Sequence, residues 1–503
     1  MKPMGFLSGF SVLLCASALS ACAVGPNFKT PTAPVVALTP SPLPAATQPA
    51  EGKAQTFVMA ADISGDWWTL FHSPELSTLI AAALADNPSL QAAQATLLEA
   101  EENVRAGQGA FFPSLSGSFQ NERERISSAE LASAGAEAAS ASSKVKIPPF
   151  TLYNASLSVS YAPDVFGGVR RQVESLAAEA ENQRYQLEAA YLSLTANIVT
   201  AAVNEASLQA QIDDTNQVIQ AEQQELSILQ TQVSLGGVAQ AAVLQEQATL
   251  SASEATLPPL QSQLAQARNQ LAAFAGVFPG NFHEADFTLD GLHLPDTLPV
   301  SLPSAIVAQR PDIAAAAAQL HEASANLGVA DANMLPQISL SAAIGQEALS
   351  AGTLFTPDNL LWNLVAGITQ PIFEGGELSA KRKAALAALQ ASGAQYQNTV
   401  ITAFQNVADA LEILQYDAIT LQAAQTAEDA AAQSLTVTQA QYRLGGEPFT
   451  AVLTAQTNYQ NAAINQVKAR ATRLADTAAL FQALGGGWWH RNDVAAPCCG
   501  IIP

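Results

Sequence analysis

Two stretches of this 503-residue chain contain no proline, from 164 to 257 and from 372 to 447. Each is rich in alanine and glutamine, and each is interrupted by one Leu-Gly-Gly. The first interruption reads Gln230-Thr-Gln-Val-Ser-Leu-Gly-Gly237, followed by Val243, Leu244 and Gln247. The second reads Gln439-Ala-Gln-Tyr-Arg-Leu-Gly-Gly446, followed by Val452, Leu453 and Gln456, every matched pair lying 209 positions apart. Glycine supplies the positive φ that a helix reversal needs, so each motif predicts a helix–turn–helix tip. From Gly168 to the first tip is 67 residues, which at 1.5 Å per residue makes a helix of roughly 100 Å. Ordinary globular helices average about 11–12 residues. A helix this long needs a partner along its whole length, and alanine-rich faces permit close approach. Shorter helices are expected to return over about 239–275 and 447–484, the first broken or kinked at Pro258-Pro259.

The tips belong to a wider duplication, the kind of internal repeat that decides a fold. Pro88 and Pro113 are matched 223 positions later by Pro311 and Pro336, as are Glu99 by Glu322 and Asn103 by Asn326. Val165-Phe166-Gly-Gly168 resembles Ile372-Phe373-Glu-Gly-Gly376, and Leu271…Gly276 matches Leu480…Gly485. Each half reads in one order: a helix (about 88–111 and 311–335), strands, a long helix, a tip and a return helix. Pro88 and Pro311 suit a first helical turn, and Pro113 and Pro336 stop those helices.

The strand segments alternate with period two. Tyr153, Ala155, Leu157, Val159 and Tyr161 share one face and Asn154, Ser156, Ser158 and Ser160 the other. Ile338, Leu340, Ala342 and Ile344 repeat the pattern, as do Trp362, Leu364, Ala366 and Ile368, whereas the strand after Pro113 reads as weak. Residues 127–147 and 348–360 read as the loops between paired strands. Tyr153, Tyr161 and Trp362 are candidates for an aromatic belt. Eight residues separate the tyrosines, about 27 Å of strand, close to the ~25 Å apolar band of outer-membrane barrels once tilt is allowed for. Four strands cannot close a membrane barrel alone, and an open edge is untenable in lipid. Closure therefore calls for several chains, a dimer or a trimer.

Composition excludes other classes. The chain carries 21 basic against 43 acidic residues, the wrong balance for a nucleic-acid binder. The five histidines are scattered and the four cysteines fit no zinc spacing. Gly485-Gly-Gly487 lacks the lysine and spacing of a phosphate-binding loop, so no catalytic site, metal site or cofactor is expected. Residues 1–21 read as a signal peptide: Lys2, then a mostly apolar stretch from Phe6 to Leu19, then small residues. Leu19-Ser20-Ala21-Cys22 resembles a bacterial lipobox, which predicts lipidation, including palmitate, on Cys22. By resemblance to enterobacterial lipoproteins, Ala23 rather than aspartate after the cysteine favours the outer membrane. Residues 22–60 form an extended Pro-, Ala- and Thr-rich tether. The remaining boundaries are 61–276 for the first repeat, 277–302 for an equatorial connector, 303–485 for the second repeat and 486–503 for a tail carrying Cys498 and Cys499.

Several motifs together resemble the TolC-like outer-membrane factors, in their NodT-type lipoprotein branch. They are Cys22-Ala-Val-Gly-Pro-Asn-Phe-Lys-Thr-Pro31, Asp66-Trp-Trp-Thr-Leu-Phe71 with Pro74 and Leu76, Leu302-Pro-Ser304, Arg310-Pro-Asp-Ile313, Ala325-Asn-Leu-Gly-Val-Ala330 and Leu484-Gly-Gly-Gly-Trp488. The resemblance covers nearly the whole mature chain. It implies a mixed, mainly α fold with an internal duplication. It also implies a homotrimer that jointly builds a transmembrane β-barrel, four strands per chain, over a long-helix periplasmic α-barrel. An equatorial collar would be formed by 60–87, 277–310 and 485–503. It further implies an exit duct for small molecules such as drugs, served by a periplasmic adaptor (a membrane fusion protein) and an inner-membrane RND-type pump. Leu235, Gly236, Gly237, Leu444, Gly445 and Gly446 become the adaptor-docking candidates. Tyr442, Arg443 and Glu447 become candidates for the periplasmic gate, although the family's acidic gate positions fall here on Ala451 and Thr454. Two other readings are a duct for type I protein secretion and a non-conducting envelope scaffold.

Overall fold

The computed structural model describes residues 23–34, 36, 37, 39, 42–126, 148–283 and 287–491. The signal peptide, Cys22, the 127–147 loop, Cys498 and Cys499 lie outside them. The described elements run β1 (Thr56–Met59), α1 (Pro74–Asp86), α2 (Pro88–Gln108), β2 (Ser114–Glu124), β3 (Phe150–Tyr161), α3 (Gly168–Ser234) and α4 (Gln240–Phe274). They continue with β4 (Thr297–Val300), α5 (Pro303–Gln309), α6 (Pro311–Ala332), β5 (Gln337–Ala348), β6 (Leu360–Thr369), α7 (Glu377–Arg443) and α8 (Phe449–Ala483). The duplication is visible in the lengths. Helices α3 and α7 each have 67 residues and α4 and α8 each have 35. No described helix is long and apolar enough to cross a membrane.

The chain divides into two compact units, and each half of the repeat contributes to both. Of the described residues, one unit takes those up to Lys29 and those within Ala100–Glu179 and Leu320–Ser392; the other takes those within Thr30–Glu99 and Ala180–Gln319 and from Gly393 on.

The first unit holds an antiparallel sheet in the order β2-β3-β5-β6. Strand β2, weak in the sequence, pairs with β3 through all eleven residues from Ser114↔Ser160 to Glu124↔Phe150. Pairing rather than propensity holds it, since strand preference depends on cross-strand neighbours. The register sorts the faces. Leu115, Phe119, Leu157, Ile344, Leu364 and Ile368 lie on one side and are exposed. On the other, the hydroxyls of Ser114, Ser116 and Ser118 each lie 2.8 Å from those of Ser160, Ser158 and Ser156. Among the described residues, β2 and β6 are the sheet's edges.

The second unit packs an aromatic core around Trp67, whose ring stacks on Phe481 at 5.4 Å and meets Phe71 edge-on. Short parallel strands β1 and β4 pair beside it. The repeat shows again in how α4 and α8 are locked at their ends. Asn87 Nδ2 donates to the Phe274 carbonyl at 2.7 Å, and Arg310 Nη1 donates to the Ala483 carbonyl at 2.6 Å. Beyond each carbonyl a positive-φ glycine, Gly276 (+75°) or Gly485 (+95°), lets the chain pass close to backbone. A Cβ on Gly276 would sit 2.9 Å from the Asp86 carbonyl oxygen, and one on Gly485 2.8 Å from that of Gln309.

Of the break or kink expected at Pro258-Pro259, the break does not form: helix α4 is continuous there. The prolines leave without donors the carbonyls four residues earlier, on Glu254 and Ala255, and both residues are exposed. Water can take those acceptors. Leu257 and Leu260, on either side, pack on the cluster of Leu208, Ile212, Leu264 and Ala267 and hold the helix down.

The two kinds of glycine separate strain from collision. At Gly445 (φ +76°) a Cβ meets nothing within 4 Å, so Gly445→Ala should cost only the left-handed penalty of about 1–2 kcal/mol. Gly276→Ala adds a backbone clash and should lower stability by at least about 1 kcal/mol more. Denaturant unfolding of the two variants checks the order.

Candidate functional site

The tips are built as the sequence requires. At the end of α3, Gly237 N–H donates to the Gln232 carbonyl at 2.8 Å and Gly236 N–H to that of Val233 at 3.0 Å, with Gly236 at φ +74°. At the end of α7, Gly446 N–H donates to the Gln441 carbonyl at 2.9 Å and Gly445 N–H to that of Tyr442 at 3.0 Å. Both are Schellman reversals that satisfy the last helical carbonyls. Each leaves its leucine bare: Leu235 is 81% exposed and Leu444 88%. Neither packs in the cluster beneath, which joins the two hairpins through Leu229, Val243, Phe449, Val452 and Leu453.

The gate candidates separate. Tyr442 is half-buried against that cluster, its ring 5.5 Å from Phe449, and its hydroxyl donates to Gln232 Oε1 at 3.4 Å. It therefore ties the second hairpin to the first. Arg443 is exposed in the last turn of α7, where a cation suits the helix dipole. Its charge is felt by Glu225 of α3. Glu447 stands exposed in the turn and is not drawn in.

The buried and half-buried carboxylates near the tips come from the first hairpin. Glu246 of α4 is fully buried and neither of its carboxyl oxygens has a hydrogen-bond partner. Burial, then the charges of Glu222 and Glu225, push its carboxyl up to about 7. Burial also raises Glu222, against a 2.9 Å hydrogen bond from the Ser253 hydroxyl, and raises Glu225 against the pull of Arg443. The 209 offset puts Ala431, Ser434 and Ala455 at the matching positions of the second hairpin. The sequence held a signal for this group: folding the chain back at Gly236-Gly237 brings Glu246 opposite Glu225. The proline-free runs drew attention to the tips alone.

On the sheet, Tyr153 lies opposite Ala348 and Tyr161 opposite Leu340. Trp362 lies opposite Ile344, which lies opposite Leu157, so in register it falls midway between the two tyrosine rows. It is 73% exposed, on the apolar face. Among the described residues no group of His, Cys, Asp and Glu side chains is placed to hold a metal ion.

Comparison with known proteins agrees with this architecture. The family model described as "outer membrane efflux protein" matches residues 79–277 and 302–486. The pyoverdine export outer membrane protein OpmQ of Pseudomonas putida is 28% identical over 460 residues, covering 91% of this chain and 94% of its own. The toluene efflux pump outer membrane protein TtgC of Pseudomonas putida is 28% identical over 487 residues, covering 96% of each chain. The open-state structure of the outer membrane channel MtrE of Neisseria gonorrhoeae superposes with a TM-score of 0.79 at 25% identity, over 94% of this chain and 100% of its own.

Glu246 gives the tip region a pH dependence. A buried acid whose pKa is raised binds its proton more tightly folded than unfolded. Its stabilising effect is thus complete below the usual 4.5 and is lost as pH rises to about 7. Amide exchange over 222–250, corrected for intrinsic rates, should quicken from pH 5 to pH 8. In Glu246→Gln that change should be smaller, the remainder belonging to Glu222 and Glu225, and the hairpin should be more stable at pH 8, by on the order of 1 kcal/mol.

Proposed function

Because the chain belongs to the outer membrane efflux protein family, we propose that it is the outer-membrane exit duct of a tripartite pump. In that reading it works as a homotrimer that passes small molecules from a periplasmic adaptor and an inner-membrane RND-type transporter to the exterior. The duct performs no catalysis and uses no cofactor; its one covalent addition is lipid on Cys22. The exposed apolar face of the four-stranded sheet is the surface that lipid would cover, and its two edges are what neighbouring copies would pair. The serine ladder on the opposite face would line a water-filled passage.

The observation that carries adaptor docking is the pair of bare leucines. Leu235 and Leu444 sit at the apex of two reversals of identical geometry, where packing within the chain gives them no role. A bare leucine at a hairpin apex suits insertion into a partner's apolar groove, each full burial contributing about 1.5–3 kcal/mol. Tyr442 and Arg443 lie immediately behind the second apex, so an adaptor seated on Leu444 would act directly on the contact between Tyr442 and Gln232. That contact supports a gating role for the second hairpin.

The cargo is not specified by the duct. Two relatives of equal similarity are named for pyoverdine and for toluene, compounds with little chemistry in common, so selection belongs to the pump. Among the alternatives, small-molecule efflux is favoured over protein secretion and over a passive scaffold by these same names.

Replacing both leucines by glutamate should leave the protein folded in the outer membrane, since neither side chain is packed. It should abolish co-purification with the adaptor and raise susceptibility to exported compounds to the level of a deletion strain. Wild-type susceptibility in that double variant would rule out apex docking. Cys22→Ala should eliminate incorporation of labelled palmitate yet leave the protein in the outer membrane through its sheet. Its release to the periplasm would show that the sheet alone does not anchor the chain.

A further inference from the structure

The residues that follow Cys22 are bound to the first unit, at a site built for them. Val24 N–H donates to the Phe166 carbonyl at 3.0 Å. The guanidinium of Arg171, only 4% exposed, is largely spent on this segment. Its Nε donates to the Val24 carbonyl at 3.0 Å, and its Nη2 to the Gly25 carbonyl at 3.3 Å and to Asn27 Oδ1 at 2.7 Å. Its Nη1 pairs with Glu174 Oε2 at 2.6 Å, which fixes the fork in place. The other oxygen of Glu174 lies 2.9 Å from His321 Nε2. The His321 ring in turn stacks on Phe28, centroids 4.4 Å apart and planes 13° from parallel.

Shape is matched as well as polarity. Gly25 has φ +93°, and a Cβ there would lie 2.5 Å from the Cα of Gly328. A Cβ on Gly328 would lie 2.9 Å from Cγ and Cδ of Arg171. The two glycines face each other so that the segment's backbone can reach the guanidinium. An extended tether of this composition needs none of these features to span a distance; a bound peptide needs all of them.

We propose that Arg171, Glu174, His321 and Gly328 form a receptor site for residues 23–28. This site, not the length of the tether, fixes where the lipid on Cys22 enters the membrane. The inference rests on the reading that Cys22 is lipidated. Cys22 lies two residues before Val24, a reach of about 7 Å, and Val24 is held by Phe166, just past the end of β3 at Tyr161. The acyl chains therefore emerge at the end of the sheet from which the long helices depart. Docking holds the two membrane-seeking parts of the chain, sheet and lipid, at one level.

Hydrogen exchange of the full-length lipidated protein in detergent tests this. Amides of 23–29 should be protected in the wild type. Arg171→Ala, which alters the site, and Gly25→Ala, which alters the segment, should each speed their exchange at least about tenfold while 150–161 stays protected. Arg171→Lys keeps the charge but not the fork and should not restore full protection. Ten Gly-Ser residues inserted after Lys29 should leave 23–29 protected. Cys22→Ala should too, because the site and not the lipid holds the segment. Exchange at 23–29 that is fast in the wild type, unchanged in both Arg171→Ala and Gly25→Ala, or fast in Cys22→Ala would overturn the proposal. Palmitate incorporation, measured on the same wild-type sample, reports the lipidation reading separately.

Discussion

A strand edge placed in lipid leaves its N–H and C=O groups without partners, and each such group costs several kcal/mol. The sheet of this chain has an apolar, exposed face and two edges, β2 and β6. A membrane protein with that face must pair those edges, and four strands cannot curl far enough to pair with themselves. The proposed association of copies is the solution open to it: β2 of one copy meets β6 of the next, and the serine faces turn inward together. The ladder of Ser114, Ser116 and Ser118 against Ser160, Ser158 and Ser156 already has its hydroxyls paired within one chain. A polar lining is thus ready before any copy arrives.

The same requirement governs the helices. Each long helix starts a few residues after a strand ends, α3 after β3 and α7 after β6. In the proposed assembly, copies joined at their edges would bring the starts of those helices side by side. Burial along α7 shows what remains to be satisfied. Its buried residues run from Tyr396 to Leu421, and none of its residues from there to Arg443 is buried within the chain. A 67-residue helix covered over so short a part of its length is stable because it is held at intervals, by the core around Leu411 and Leu414 and by the tip cluster that includes Tyr442. Neighbouring copies are the natural cover for the rest.

The regular parts of this architecture were legible in the sequence because they follow from short-range rules. Alternation placed β3, β5 and β6 and assigned their faces correctly, and proline and glycine placed the ends of α3 and α7. What was not legible depends on a partner far away in the chain. Strand β2 looked weak because its own residues are serine, glycine and charge; its strength comes from eleven consecutive pairs with β3. Pro258-Pro259 looked like a break because local rules see two missing donors, whereas exposed carbonyls and flanking leucines make the helix tolerable there. Arg171 was invisible for the same reason: it binds a segment 144–147 positions earlier. Glu246 acquires its chemistry only when the hairpin closes, which the turn at Gly236-Gly237 signals.

The duplication shows which parts of the fold are constrained and which are free. The reversals at Gly236 and Gly445 agree to within a few degrees in φ and about 0.1 Å in their hydrogen bonds. The locks on Phe274 and Ala483 keep the bond but change the donor, from asparagine to arginine. The hairpin interiors keep Val243 and Val452 in common but differ in their acids: Glu222, Glu225 and Glu246 in the first stand where the second has Ala431, Ser434 and Ala455. A turn has few geometries that close it, so both copies retain the same one. An interior carboxylate is costly to bury, and the two hairpins carry theirs at different points: Glu246 of α4 in the first and Asp417 of α7 in the second, each pushed up to about 7. Only the first has its acid at a position the tip repeat matches. The second carries Tyr442 and Arg443; Tyr442 bonds to Gln232 of the first hairpin, and Phe449, Val452 and Leu453 pack in the cluster the two hairpins share. Loosening the first hairpin by deprotonating Glu246 therefore acts on the same tip cluster that the second hairpin's Tyr442 joins.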